Sequence, residues 1–396
     1  MNSGPGGAPL ALSPHHRPDG PAPALIDLAS GQIVEPLPGP VRDAITRAMN
    51  SPRASAYPPG PGLPELRTAV AGHYAHRTGA VVDPEGVTIT AGARHGLFAA
   101  LAAVARGREV LVPAPHWSHY PAVVRQAGGS PVTVPGDPGH ALLADPARLE
   151  AARTPRTAAV LVNSPVNPSG ACYGPERMRA LRAWAAERGV CLIVDDIYWA
   201  YGDEIDTDLR PGPTEIVVGG VSKVHALAGL RIGWVWADPD RAEAVRDTVE
   251  HTTGPVSGPA QTAAAAVLRQ ETDTCTGDAP TGVGVARRVA ELAGQRARAV
   301  RAMTAVPYLR PVPPAGGIYL CLDASEALAR GLLGARNDQE LCAALRRRAS
   351  VGLRAGSTFG MPGHLRLCVA ESHDVLLTAA RRLTACLTAA ADHLAD

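Results

Sequence analysis

Lysine is almost missing from this chain of 396 residues: Lys223 is the only one, so 38 − 1 = 37 of the residues counted as Lys+Arg are arginines. Phenylalanine is nearly as scarce, with 2 in the chain, a shortage that does not decide whether a pocket would accept an aromatic group. The 7 cysteines form neither a CxxC pair nor a compact framework, which argues for reduced thiols in a cytoplasmic protein and against a disulfide scaffold or a cysteine-bound metal. No basic tract occurs, and the formal net charge is +1 with Arg and Asp/Glu interspersed, so nucleic acid and anionic membrane surfaces are not expected partners. No apolar stretch reaches the roughly 18 residues of a membrane span. The first 23 residues, rich in Gly, Pro and Ala, lack the apolar core of a signal peptide and read as a flexible extension.

What is present is the alternation of short apolar runs with Ala/Leu/Arg segments of helical period, the mark of β-α units on a mostly parallel sheet. Strands are expected at Val87–Thr90, Glu109–Val112, Ala158–Val162, Val190–Val194 and Glu215–Val218. Helices are expected at Leu63–Arg77, Ala93–Ala105, Pro175–Arg188 and Pro239–His251. The polar stretch Glu271–Gly284 suits a surface loop or hinge. Beyond it, a helix near Val285–Met303, strands at Ile318–Leu322 and Leu365–Val369 and a helix at Asp338–Arg348 read as a smaller α+β domain. The expected organisation is therefore an extension over 1–23, a first part of the small domain over 24–48, a large domain over 49–270 and the remaining small domain over 271–396. No internal repeat is seen, and GVGV near 282 lacks the strand and the glycine of a dinucleotide fingerprint.

Why one lysine should survive among arginines has two answers. Chance in a GC-rich coding background is one. The other is chemistry: a guanidinium stays charged, whereas an ε-amine can lose its proton in a desolvated pocket and attack a carbonyl to form a Schiff base. The residues at the strand ends bear on the choice, because ligands of open α/β sheets collect beyond the carboxyl ends of the strands. His116 and Trp117 follow one strand, NSPVNPSG the next, Asp195 and Tyr198 a third and Lys223 a fourth. One cleft would thus receive a carboxylate, a carboxamide, a phenol, an indole and the only amine. Separately, TAGARHGLFAAL sets Gly92 before a helix start whose N–H groups form a phosphate cradle, and Arg231 would add a guanidinium.

These blocks, in the order IDLASG, AYPPGPGLPELRTAV, ITAGARHGLFAAL, APHWSHYPAVVRQAGG, NSPVNPSG, IVDDIYWAY, SKVHALAGLRIGW, PPAGGIYL and AGSTFGMPGHLRLCVAES, resemble the class I/II aminotransferases, of the aspartate-aminotransferase-like fold type I family. The resemblance runs from about Leu25 to Leu383. It implies an α/β fold with a large domain and a smaller α+β domain, pyridoxal 5'-phosphate as cofactor, amino-acid and keto-acid substrates, and a homodimer. It implies that Lys223 carries the Schiff base and moves the Cα proton, that Asp195 faces the pyridine nitrogen, and that Asn167 and Tyr198 bond the ring's 3'-oxygen. Trp117 would stack on the ring, while Ala93 and Arg94 N–H groups, Ser222 and Arg231 would hold the phosphate. Arg366 would take the substrate α-carboxylate, with Gly31 and Asn167 nearby. Tyr57 would reach across a two-fold interface to the neighbouring phosphate.

Other readings stand beside these. Asp195 would otherwise cap a helix, a duty that Asp196 is also placed to take; Asn167 would be a turn residue, Trp117 a core residue and Arg366 an exposed strand arginine. The sequence departs from the family at Gly220, where many relatives carry a hydroxyl, and at SGQIVEP, which replaces the more usual Gly-x-Pro-Asp. His73 with His76, and His116 with His119, lack a third metal ligand, although His116 would suit the rim of a substrate pocket. Transamination is the expected reaction. Elimination or cyclisation at the same carbanion, resembling 1-aminocyclopropane-1-carboxylate synthases and including S-adenosylmethionine as a substrate, is the alternative.

Overall fold

A short parallel pairing near the N-terminus, β1 (Ile26–Asp27) against β11 (Val351–Gly352), ties the first described segment to the C-terminal half of the chain. The computed structural model describes residues 23–204, 206–273 and 283–395. The main sheet contains β2 (Val87–Thr90), β3 (Glu109–Ala114), β4 (Ser130–Pro135), β5 (Thr157–Asn163), β6 (Cys191–Asp195), β7 (Glu215–Gly220) and β8 (Gly233–Trp236). Their order across the sheet is β2-β8-β7-β6-β5-β3-β4. The run from β7 to β4 is parallel, and β8 is antiparallel to both of its neighbours.

The middles of strands β5, β6 and β7 (Ala158–Val162, Leu192–Val194 and Ile216–Val218) are continuous apolar runs because helices cover both faces of the sheet, so no alternation with polar residues is needed. The covering helices are punctuated locally. Pro64, Pro146, Pro175 and Pro239 open helices at the position where an N–H would have no partner. Asp145 caps one of them by accepting from the Arg148 N–H at 2.9 Å. Gly79 and Gly189 close two others in the left-handed region, at φ 68° and 61°.

A second sheet, β12-β13-β10-β9, is antiparallel and is built from β9 (Arg310–Val312), β10 (Tyr319–Asp323), β12 (Arg354–Ala355) and β13 (His364–Cys368). Its apolar face packs with the helices Val283–Thr304 and His373–Ala395, and Leu28 from the N-terminal segment enters the same core. The expected helices at Ala93–Ala105, Pro175–Arg188 and Asp338–Arg348 have those bounds in the structure.

Several features differ from the sequence reading, the following among them. Strands β4 and β8 were not expected. The helix Gly258–Asp273 runs through Glu271, so the start of the expected polar loop is helical; 274–282, like 1–22, lies outside the described residues. Among the described residues, no helix is long and apolar enough to cross a membrane.

Candidate active site

Beyond the carboxyl ends of β3, β5, β6 and β7, which lie side by side in the sheet, opens a cleft of about 410 Å³. Ala93, Arg94, Trp117, Asn167, Asp195, Tyr198, Ser222, Lys223 and Arg231 all line it. Gly31 and Arg366 join it through hydrogen bonds. The Lys223 Nζ donates to Gly31 O at 2.6 Å, and Arg366 Nη1 donates to Asn167 Oδ1 at 3.0 Å. Tyr57 stands apart, 92% exposed.

Four side chains that sequence reasoning left out, together with Leu97 and Ala228, complete the wall. Tyr120 donates to Asp195 Oδ2 at 2.6 Å, and Asn163 donates to the Asp195 carbonyl at 2.8 Å while accepting from the Asn167 N–H at 3.1 Å. The Tyr319 hydroxyl lies 3.2 Å from that of Tyr198, and Ile197 supplies an apolar surface. Asn163 is the first residue of NSPVNPSG and Tyr120 ends the HWSHY block, so both were in view, but only the sheet brings them to Asp195.

Burial sets the electrostatics. It pushes the Asp195 carboxyl up to about 6, against the opposing pull of the Tyr120 hydrogen bond, the Ile197 N–H and the Lys223 charge. It lowers the proton affinity of Lys223, and the Arg366 and Arg231 charges act in the same direction while Cys368 and Asp195 oppose it. The amine is thus displaced toward the neutral, nucleophilic form. Tyr198 is held firmly as a phenol, its proton affinity raised first by burial and then by Tyr319.

Gly92 takes φ 79° before the helix Ala93–Ala105, and a Cβ there would lie 2.3 Å from Arg231 Nη2. Only glycine lets the helix start and this guanidinium come so close. The first N–H groups of the helix have no acceptor within it. Arg231 itself bonds only to backbone, at Ala228 O (3.0 Å) and Ala91 O (3.5 Å), with no carboxylate partner among the described residues. One region of the cleft is therefore rich in donors and suited to a multiply charged anion.

Arg366 is 5% exposed, which overturns the exposed-strand alternative. Its Nη2 donates to Ala29 O at 2.6 Å, its guanidinium lies 4.1 Å from the Tyr319 ring centroid, and its Nε is buried without a partner. Asp196 does not cap a helix. Arg77 takes both of its oxygens and Tyr74 a share of one, because the side chain points into the core rather than along the chain. Trp117 is half-buried with the Arg94 guanidinium 5.0 Å from its ring centroid. His116 is buried, directed to the Trp117 carbonyl at 3.0 Å and not on the cleft wall. His73 pairs not with His76 but, together with His225, with one oxygen of Glu271 (3.3 and 3.1 Å). Among the described residues, no group of metal-ligating side chains has the geometry of a metal site.

Residues 23–383 match the family model described as aminotransferase class I and II. An aspartate aminotransferase of Streptomyces avermitilis is 34% identical over 93% of this chain and 90% of its own length. An aspartate/prephenate aminotransferase of Thermus thermophilus is 32% identical over 90% of each. Among solved structures, a double mutant of the Thermus thermophilus aspartate aminotransferase superposes with a TM-score of 0.83 at 30% identity, over 92% of both chains.

Proposed function

Because the chain belongs to the class I and II aminotransferases, and so uses pyridoxal 5'-phosphate to move an amino group between an α-amino acid and an α-keto acid, we propose that the cleft around Lys223 is its active site. When bound, the cofactor supplies a carbonyl that an amine can attack and a protonated ring that accepts the electron pair left when the Cα proton departs. The residues present fit it. The Gly92 cradle, the unpaired helix N–H groups and Arg231 match a phosphate, with Ser222 beside them. Among the described residues Asp195 is the only carboxylate on the wall, and it matches a pyridinium nitrogen. Asn167 and Tyr198 match the ring oxygen, and Trp117 a ring face.

Within that arrangement the chain's own groups divide the work. Lys223 Nζ, its proton affinity lowered, would bond the cofactor's carbonyl carbon with loss of water and, once displaced by the substrate amine, would take the proton from the substrate Cα and deliver it to that cofactor carbon. Asp195, kept partly dry, holds the ring proton. Arg366 holds the substrate α-carboxylate, and Asn167 and Ala29 O fix its fork from the far side. The observation that carries the reading is that the only amine side chain of the chain shares a cleft with Asp195, Arg231 and the free helix N–H groups. Elimination or cyclisation is not favoured, since the matching relatives are named as aminotransferases.

We further propose an acidic α-amino acid as substrate. The relatives named above act on aspartate, and Arg94 brings to the cleft an exposed guanidinium with no carboxylate partner among the described residues. A cleft in which, among the described residues, Lys223, Arg94 and Arg231 face one carboxylate, Asp195, favours a second anionic group. A homodimer completed by Tyr57, and a cytoplasmic setting in keeping with the free thiols of Cys172, Cys191, Cys321, Cys342, Cys368 and Cys386, belong to the same proposal. Sedimentation would show a dimer, and Tyr57→Phe would weaken cofactor retention; a fully active monomer would reject the shared site. The function is tested by single turnovers of the reconstituted enzyme with a panel of amino acids. Aspartate or glutamate should yield its keto acid and pyridoxamine phosphate, reversed by a second keto acid. A productive substrate that loses a leaving group or closes a ring would reject transamination.

A further inference from the structure

The entrance segment 29–35 makes more contacts with the cleft than a connection requires. Ala29 O accepts from Arg366 and Gly31 O accepts from Lys223, each at 2.6 Å. A Cβ on Gly31 would lie 1.8 Å from the Tyr319 hydroxyl oxygen, so the backbone rests directly on that phenol. Ile33, 6% exposed, enters the apolar cluster that contains Ile197, Tyr198 and Tyr319. The segment is a wall of the active site rather than a strap outside it.

Its far end is fastened by one arginine. Arg288 donates from Nε to Glu35 Oε1 at 3.0 Å and from Nη2 to Oε2 at 2.7 Å, a two-pronged pair, and from Nη1 to Val224 O at 2.6 Å. Val224 is the residue after Lys223. Arg288 is 5% exposed, and its bond to Val224 O is enclosed while those to the half-buried Glu35 are partly shielded, surroundings that strengthen charge-assisted hydrogen bonds. Neighbouring Arg287 reaches Glu35 only at 3.5 Å and is engaged by Glu291 at 2.6 Å. The sequence here is the SGQIVEP that departs from the family pattern, so Glu35 brings a carboxylate to a segment that the family motif did not explain.

We propose that Glu35 and Arg288 are a positioning pair for the reaction: they hold the Gly31 wall and the lysine turn at a fixed separation, so that substrate enters a cleft already closed on that side. Neither touches the reacting atoms. The inference rests on the reading of Lys223 as the cofactor lysine.

The scarcity of lysine provides a test that needs no turnover. In the cofactor-free protein the only amines that trinitrobenzenesulfonate can label are Lys223 and the N-terminus, and mass spectrometry of the Lys223 peptide reads that site apart from any thiol. Glu35→Gln should raise the Lys223 labelling rate about tenfold, the size expected for a lost charge-assisted pair. In the loaded enzyme the same variant should raise KM for aspartate by a similar factor while kcat changes less than about twofold. Should Glu35→Gln not fold, Glu35→Asp, which keeps the charge on a shorter arm, carries the same comparison. Wild-type labelling and KM in the variant would overturn the proposal, as would labelling that rises only in proportion to lost thermal stability. If instead borohydride fails to fix the cofactor on Lys223 in the wild type, the functional reading falls, while the labelling comparison still judges the pair.

Discussion

Tyr120 donates its phenolic proton to Asp195 across 2.6 Å, a bond between two buried groups, one at the start of the helix Tyr120–Gln126 and the other at the end of β6. It opposes the burial that pushes this carboxyl up to about 6. Removing the donor raises the carboxyl further, so less of it is ionised near neutrality. Tyr120→Phe should therefore move the acid limb of the kcat/KM profile to higher pH and cost more activity at pH 6 than at pH 8. An unmoved acid limb would show that the phenol does not act through Asp195.

Asp195 also has a consequence for stability. A carboxyl with a folded value near 6 and an unfolded value near 3.8 binds its proton more tightly when folded. Its contribution is favourable below the unfolded value and is lost as pH rises toward 6, by about 3 kcal/mol at most. Thermal melting of the cofactor-free Asp195→Asn variant should thus show it to be more stable than the wild type at pH 8 and little different at pH 4. In the loaded enzyme the same change should lower turnover by orders of magnitude. A wild type that melts lower than the variant by the same margin at both pH values would contradict the assignment.

Arg366 should be intolerant even of lysine. A single ammonium cannot reproduce the fork that Asn167 and Ala29 hold in place, and it leaves Asn167 Oδ1 without its donor. Arg366→Lys should lower kcat/KM about a hundredfold or more, mostly through KM, with cofactor content unchanged. Loss of cofactor instead of substrate affinity would assign this arginine elsewhere.

Arg94 separates acidic from neutral substrates. Arg94→Ser keeps the backbone N–H at the helix start and removes the guanidinium that lies over Trp117. The ratio of kcat/KM for aspartate to that for alanine should fall about threefold, the size of one exposed charge pair. An unchanged ratio would mean that the acidic group, if used, is bound by another residue.

Local chemistry made much of this legible. The helix Ala93–Ala105 begins after a glycine that must take positive φ, and Asp338–Arg348 begins after Asn337, whose side chain accepts from the Glu340 N–H at 2.9 Å. The sites at the strand ends were readable because a parallel sheet sends successive loops to one edge. What was missed depends on distant partners. Strand β8 is four residues, and it is held as a strand by β2 and β7 on either side. The edge strand β4 carries two prolines, which a sequence reading penalises. Glu271, within the helix Gly258–Asp273, has its side chain held by His73 and His225, neither close in sequence. Tyr120, Asn163 and Tyr319 owe their places in the site to contacts that no local pattern encodes, as does the grip of Arg288 on Glu35.

The central claim, that catalysis runs through the only lysine, is tested most directly by reducing the reconstituted enzyme with borohydride and mapping the modified peptide by mass spectrometry. The account predicts pyridoxyl mass on the peptide bearing Lys223, and loss of both that adduct and transamination of aspartate in Lys223→Ala. Cofactor fixed only at the N-terminal amine, or a Lys223→Ala enzyme that still transaminates at the wild-type rate, would contradict it.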